Sequence, residues 1–219
     1  MERLTNNIAA KISEELKLDN DKRDVIAYGM FAIIDIAFSI FLVIIFGLFF
    51  HVTIEALIVC LTGSILRKYS GGAHAASPGK CAAITTIVCI GLALFLKLLI
   101  ANIITPSVLY ILGIVIYVIS YYLIYKLAPV DSPSKPIKKK EKKDRMKKGS
   151  SLVLSIYTIL VIASLGIYFY TKNKSFLVYS SCVYGGTMWQ AFTLTKAGHS
   201  TVHNMDKFLS RIFAYKKRR

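Results

Sequence analysis

Residues 36–50 read IAFSIFLVIIFGLFF, a stretch with one hydroxyl, Ser39, and no charge. Runs of the same kind fill 81–96, 98–125, 151–170 and 176–195, broken only by small polar residues. A bilayer's hydrocarbon core is roughly 30 Å thick and takes about 20 helical residues to cross. The runs approach that length, and a soluble domain of 219 residues has too little interior to hide them all. Apolar types make up 55% of the chain and charged types 18%, with a mean hydropathy of +0.55. The expected fold is therefore an all-α polytopic membrane protein. About six transmembrane helices are drawn, over 25–48, 51–66, 82–102, 107–127, 151–170 and 176–196.

The charges lie in the gaps between these runs. The 28 Lys and Arg against 12 Asp and Glu give a net charge of +16. In a bilayer protein such an excess serves orientation and anionic lipid, which argues against nucleic acid as a partner. The N-terminal segment holds five basic residues, the 67–80 loop three, the 126–150 loop ten and the tail from Lys196 seven. Six spans put all of these on one side, so the positive-inside rule expects both termini and both larger loops in the cytoplasm. The 51–66 segment is the short one. It carries Glu55, ends in Arg67-Lys68, and reads as a tilted span or part of a re-entrant element.

Leu4, Ile8, Ile12 and Leu16 recur every four residues, predicting an amphipathic lead helix within 1–24. It lies on the membrane surface or on the protein's own loops. Asp19 to Asp24 reads as a charged hinge, and eleven charges in the first 24 residues speak against a cleavable signal peptide. Residues 128–150 are expected to form a basic cytosolic loop, opened by three prolines that forbid a helix there, and 197–219 a basic tail. Asp35, midway along the first span, is either a structural polar contact or support for a site. Cys60, Cys81, Cys89 and Cys182 have no short paired spacing, so neither a disulfide scaffold nor a zinc ribbon is expected.

The unusual segment is Arg67-Lys-Tyr-Ser-Gly-Gly-Ala-His-Ala-Ala-Ser-Pro-Gly-Lys-Cys81. Gly71-Gly72 lets the backbone turn sharply or approach a substrate. Pro78-Gly79 is a second turn signal, lying between His74 and Cys81. A loop folded back on itself brings imidazole beside thiol at the membrane surface. A neighbouring imidazolium or a helix N-terminus activates a thiol as a nucleophile toward a peptide carbonyl. Backbone N–H groups at Gly71 and Gly72, or Arg67, are candidate donors to the resulting oxyanion. By residues alone three readings stand: catalysis, a structural interhelical loop, and ligand or ion binding. His199 and His203 are four apart, but Ser200 occupies the place of a metalloprotease glutamate, so no metal site is expected.

The set Arg67, Gly71-Gly72-Ala73-His74 and Cys81, together with Ala128-Pro129 and Lys135-Pro136-Ile137, resembles the accessory gene regulator protein B (AgrB) family. These are bacterial membrane endopeptidases that process quorum-sensing pheromone precursors. The likeness covers essentially the whole chain, which it implies is one integral membrane peptidase domain, 1–219, in the bacterial cell membrane. It implies His74 and Cys81 as the catalytic pair, without a cofactor. Arg67, Ser70, Gly71, Gly72 and, by a looser match, Gln190 are then candidates for substrate or transition-state support. Lys135, Lys138, Lys139 and Lys140 are candidates for steering an acidic substrate tail. No acid completing a triad is identifiable. The implied reaction is cleavage of a precursor's acidic C-terminal tail through a Cys81 thioester, then cyclisation to a thiolactone or lactone. The precursor peptide, anionic lipid and a second copy of the chain, forming a homodimer, are the implied partners. The competing readings are a small-peptide transporter or exporter without proteolytic activity, and a non-enzymatic scaffold working through its basic loop.

Overall fold

A computed structural model describes residues 2–16, 19–73, 75, 77–102, 105–130 and 140–217, with some side chains, Asp35 among them, left out. Among these residues the chain is all-helical. The eight helices are α1 (Glu2–Glu15), α2 (Asn20–Phe49), α3 (Thr53–Ser70), α4 (Pro78–Asn102), α5 (Pro106–Leu127), α6 (Lys140–Thr171), α7 (Ser175–Phe192) and α8 (Lys196–Lys217). Helices α2 to α7 fall on the six apolar segments. Among the described residues three stretches are long and apolar enough to cross a membrane: Gly79–Asn102, Pro106–Leu127 and Lys140–Thr171. Ile36–Phe49 is a shorter apolar stretch.

The packing turns a soluble protein's pattern outward. Ile111, Val118, Ile159, Ile162 and Phe169 are all more than 60% exposed. What lies inside mixes apolar side chains such as Leu66, Leu109, Ile124 and Leu154 with polar ones such as Ser70, Ser120, Thr187 and Gln190. Helix α3 packs most extensively on α7 and also contacts α2, α4 and α6. A Cβ on Gly186 of α7 would meet the Val59 carbonyl oxygen of α3 at 2.8 Å. Apolar burial does little to drive helices together in lipid, so close approach through glycine and interhelical hydrogen bonds take its place. One such bond runs from the Tyr157 hydroxyl of α6 to the Thr62 carbonyl of α3 at 2.9 Å.

Several expectations are corrected or resolved. The charged segment from Asn20 to Asp24 is helical and continues into α2, since only Asp19 precedes that helix. The basic run from Lys140 is likewise not loop: it is the first turns of α6, where Lys and Glu are good helix formers once the prolines are past. The tail is the long helix α8, and α7 ends at Phe192, not at 196. The lead helix α1 packs on α2. From Thr53 onward the 51–66 segment is one continuous helix that runs through Ser70.

Candidate functional site

Helix α3 ends in the turn that the double glycine predicts. Gly71 has φ 70° and ψ −151° and Gly72 has φ 133°, conformations that a Cβ disfavours. Space is as restrictive as the dihedrals. A Cβ on Gly71 would lie 2.2 Å from the Val130 carbonyl oxygen, and one on Gly72 2.8 Å from Thr193 Oγ1. The reason is that Ala128-Pro129-Val130, leaving α5, runs directly over the turn. Val130 N–H donates to the Ser70 carbonyl at 2.9 Å, and Gly71 and Val130 form an isolated parallel bridge. Two segments separated by some sixty residues in the sequence thus become one structural unit.

Helix α7 holds the turn from the other side. Gln190, 1% exposed, donates through Nε2 to the Gly71 carbonyl at 2.7 Å and to Ser70 Oγ at 3.0 Å. Ser70 Oγ passes its own proton to the Leu66 carbonyl at 3.0 Å. Thr193 Oγ1 donates to the Gln190 carbonyl at 2.8 Å, while the Thr193 carbonyl accepts Ala73 N–H at 3.2 Å. The Arg67 guanidinium donates to the Ala73 carbonyl. A buried amide that spends its donors on loop backbone fixes that backbone, because leaving either group unpaired costs about 1–3 kcal/mol.

Cys81 sits in the first turn of α4, which begins with Pro78 in the position that tolerates a missing N–H. Its N–H donates to the Ser77 carbonyl at 3.0 Å, and its thiol is free and half-buried. The positive end of the helix dipole lies there, favouring an anion. Arg67, Ala73, Ala75, Cys81, Ile84, Thr85, Trp189, Thr193 and Val202 line a recess of about 20 Å³. That holds about one water and no side chain. Trp189 also lines an apolar cavity of about 280 Å³ between α4, α5 and α7.

The structure thus brings together Arg67, Ser70, Gly71, Gly72, Gln190 and Cys81. His74 lies outside the described residues, as do Lys135, Lys138 and Lys139; Lys140 is exposed at the start of α6. The expectation that Gly71 N–H is an oxyanion donor is corrected, since it caps α3 by donating to the Arg67 carbonyl at 2.9 Å. Glu55 belongs to the other end of α3, paired with Lys97 at 2.8 Å. His199 and His203 are exposed, and no metal-binding cluster of three His, Cys, Asp or Glu occurs among the described residues. Sequence reasoning missed Lys80, Trp189, Thr193, Val202 and Asp206. Asp206 had left a signal, being the only acid in the basic segment from Lys196 onward.

Residues 5–194 match the profile of the family described as Accessory gene regulator B. The chain belongs to that family. An AgrB-like protein of Clostridium perfringens (strain SM101 / Type A) is 38% identical over 215 residues, covering 97% of this chain and 99% of the relative. AgrB-like protein 2 of C. perfringens (strain 13 / Type A) is 37% identical over 212 residues, at 97% and 99% coverage. No solved structure matches the chain. Family membership and the apolar helices make this AgrB-family chain a membrane protein with an accessory gene regulator role. Both glycines, the strap at Val130, Gln190 and Cys81 lie inside the matched residues, whereas α8 lies beyond them.

Proposed function

We propose that this protein is a membrane-embedded cysteine endopeptidase that removes the C-terminal tail of a pheromone precursor and promotes its cyclisation. The observation that carries the reading is the placement of Cys81: a free, half-buried thiol in the first turn of α4, in a recess walled by the Arg67–Ala73 turn. A nucleophile needs access, a rigid surround and an electropositive setting, and this position supplies all three.

In this reading His74 takes the Cys81 proton as the sulfur attacks the scissile carbonyl, then delivers it to the leaving amine. The acidic tail departs with a free amino terminus, and the peptide remains as a thioester on Sγ. An internal thiol or hydroxyl of the substrate attacks that thioester. Its proton returns to Cys81, and the product is a thiolactone or lactone. Arg67 and the Gln190-held turn keep the loop backbone in place. The apolar cavity behind Trp189 supplies room for apolar side chains of the acyl segment that the small recess lacks. Lys140 and its neighbours attract the acidic tail. The protein works in the bacterial cell membrane with both termini cytoplasmic, as a homodimer among anionic lipids.

The test puts wild type and Cys81→Ala in liposomes with the precursor peptide and follows peptide and enzyme by intact mass. Tail release together with an acylated enzyme, both lost in Cys81→Ala, supports the reading. Tail release that persists in Cys81→Ala removes Cys81 as the nucleophile. An intact peptide that crosses the bilayer equally in both favours the exporter.

A further inference from the structure

Lys80, the residue before Cys81, reaches away from the recess to α8. Its Nζ donates to Ser210 Oγ at 2.7 Å and lies 3.5 Å from Asp206 Oδ1. Ser210 Oγ donates in turn to the Asp206 carbonyl at 2.7 Å. The pair is sheltered, with side-chain exposures of 22% and 10%. Asp206 Oδ1 is buried and makes no hydrogen bond, so its charge is balanced by a nearby ammonium.

Gly198, Val202, Asp206 and Ser210 recur every four residues and form one face of α8. Each meets something at the Cys81 end of the bundle. A Cβ on Gly198 would lie 2.0 Å from the Phe192 carbonyl oxygen, so the helix starts flush against the end of α7. Val202, 5% exposed, is a wall of the Cys81 recess. Asp206 and Ser210 hold Lys80. Elsewhere on the helix Met205 and Leu209 are half-buried, Phe208 and Ile212 are 65% and 49% exposed, and His199, His203, Lys207 and Arg211 face outward. Val202 and the Lys80 cluster are the side-chain contacts that this face makes with the Cys81 end of the bundle.

We infer that Lys80 and Asp206 are positioning residues: their pair docks α8 as a cover over the Cys81 recess and so decides the fate of the acyl-enzyme. The inference rests on the peptidase reading above. A thioester on Cys81 has two exits. Attack by the substrate's own thiol forms the ring thioester and returns the proton to Cys81. Attack by water gives a linear peptide carboxylic acid and the same free thiol. Both follow tail release, so the cover acts on the ratio of the two products, and keeping water off the bound acyl group favours the ring.

The experiment reads linear acid and cyclic peptide per tail released, by mass spectrometry, for the full chain in liposomes. Asp206→Asn raises the linear-to-cyclic ratio about tenfold. Lys80→Met raises it at least as much, because it leaves the buried carboxylate without its cation. The double variant Lys80→Met/Asp206→Leu, which replaces the pair by apolar contact, returns the ratio to within about twofold of wild type. A carboxylate acting in the chemistry would not be replaced by leucine, whereas a pair that only docks α8 is. Hydrogen exchange supplies a second readout should a single variant fold poorly. Amides of Thr201–Ser210 in Asp206→Asn exchange about tenfold faster, while α4 and α7 stay protected. An unchanged ratio in both single variants, no recovery in the double, or unchanged exchange in α8 overturns the inference. Failure of the peptidase reading looks different, as tail release without Cys81 or no acylated wild-type enzyme.

Discussion

Helix α3 connects two ends of the molecule that are built from similar parts and differ in what they leave over. At one end, the tight turn Phe50–Val52 joins α2 to α3, with His51 at φ 55°. Lys97 there pairs with Glu55 at 2.8 Å and donates to the His51 carbonyl at 2.9 Å. At the other, the Gly71-Gly72 turn leads to α4, and Lys80 pairs with Asp206. Each end has a strained turn and a lysine–carboxylate pair. The Glu55 end closes on itself: the lysine is 45% exposed and caps the turn's carbonyl. The Cys81 end gathers backbone from five places, namely the α3 terminus, the Val130 strap, the α4 start, the α7 terminus and α8, around a free thiol and a recess. A turn that merely joins two helices needs one or two of these. Investment in holding a loop, next to a nucleophile, is what distinguishes the two ends.

The largest expected contrast comes from the thiol. Cys81→Ala lowers tail release by about a thousandfold or more, measured by peptide mass spectrometry, because no other group supplies the attacking sulfur. Gly71→Ala comes next. It forces a Cβ into a glycine-only conformation costing about 1–3 kcal/mol, against the Val130 carbonyl as well. Tail release should fall by more than about tenfold, with a lower thermal unfolding midpoint in detergent. Gln190→Leu strips the turn of two hydrogen bonds and leaves the Gly71 carbonyl only the longer contact from Ser70 Oγ at 3.3 Å, a loss of about 1–3 kcal/mol. It should cost turnover about tenfold, with Gln190→Glu failing to restore it because a carboxylate cannot donate. Glu55→Gln stands last. A pair whose lysine is half exposed is worth about 0–1 kcal/mol, and tail release should stay within about twofold. A Glu55→Gln effect as large as that of Gln190→Leu would erase the distinction between the two ends.

How much of this was legible follows from the kind of signal each feature leaves. The apolar runs marked α2 to α7 apart from the charged starts of α2 and α6, because lipid demands a long charge-free stretch and helix is the backbone form that satisfies itself there. Gly71-Gly72 marked the turn, and Pro78 the start of α4, because each residue type has a backbone reason to be where it is. The basic segment of α6 was misread as loop because charge runs without apolar periodicity look alike whether helical or not. Helix α8 was hidden for the same reason: its buried face is Gly, Val, Asp and Ser, which no hydrophobic pattern reveals. Gln190 was flagged only as a loose match, since a single amide in an apolar run does not say which carbonyl it faces.

The sequence by itself determined the class of solvent, the apolar helices, the turn at Gly71 and the family, because these depend on local composition and on short-range backbone sterics. Tertiary structure decided the rest. Only packing seats Val130 over Gly71, aims Gln190 at the carbonyl it holds, and lays Asp206 beside the lysine that precedes Cys81. The physical reason is that these are pairings of polar groups across about 60 to 130 positions of chain. In a low-dielectric interior each such group must find a partner, but which one it finds is fixed by how the helices cross.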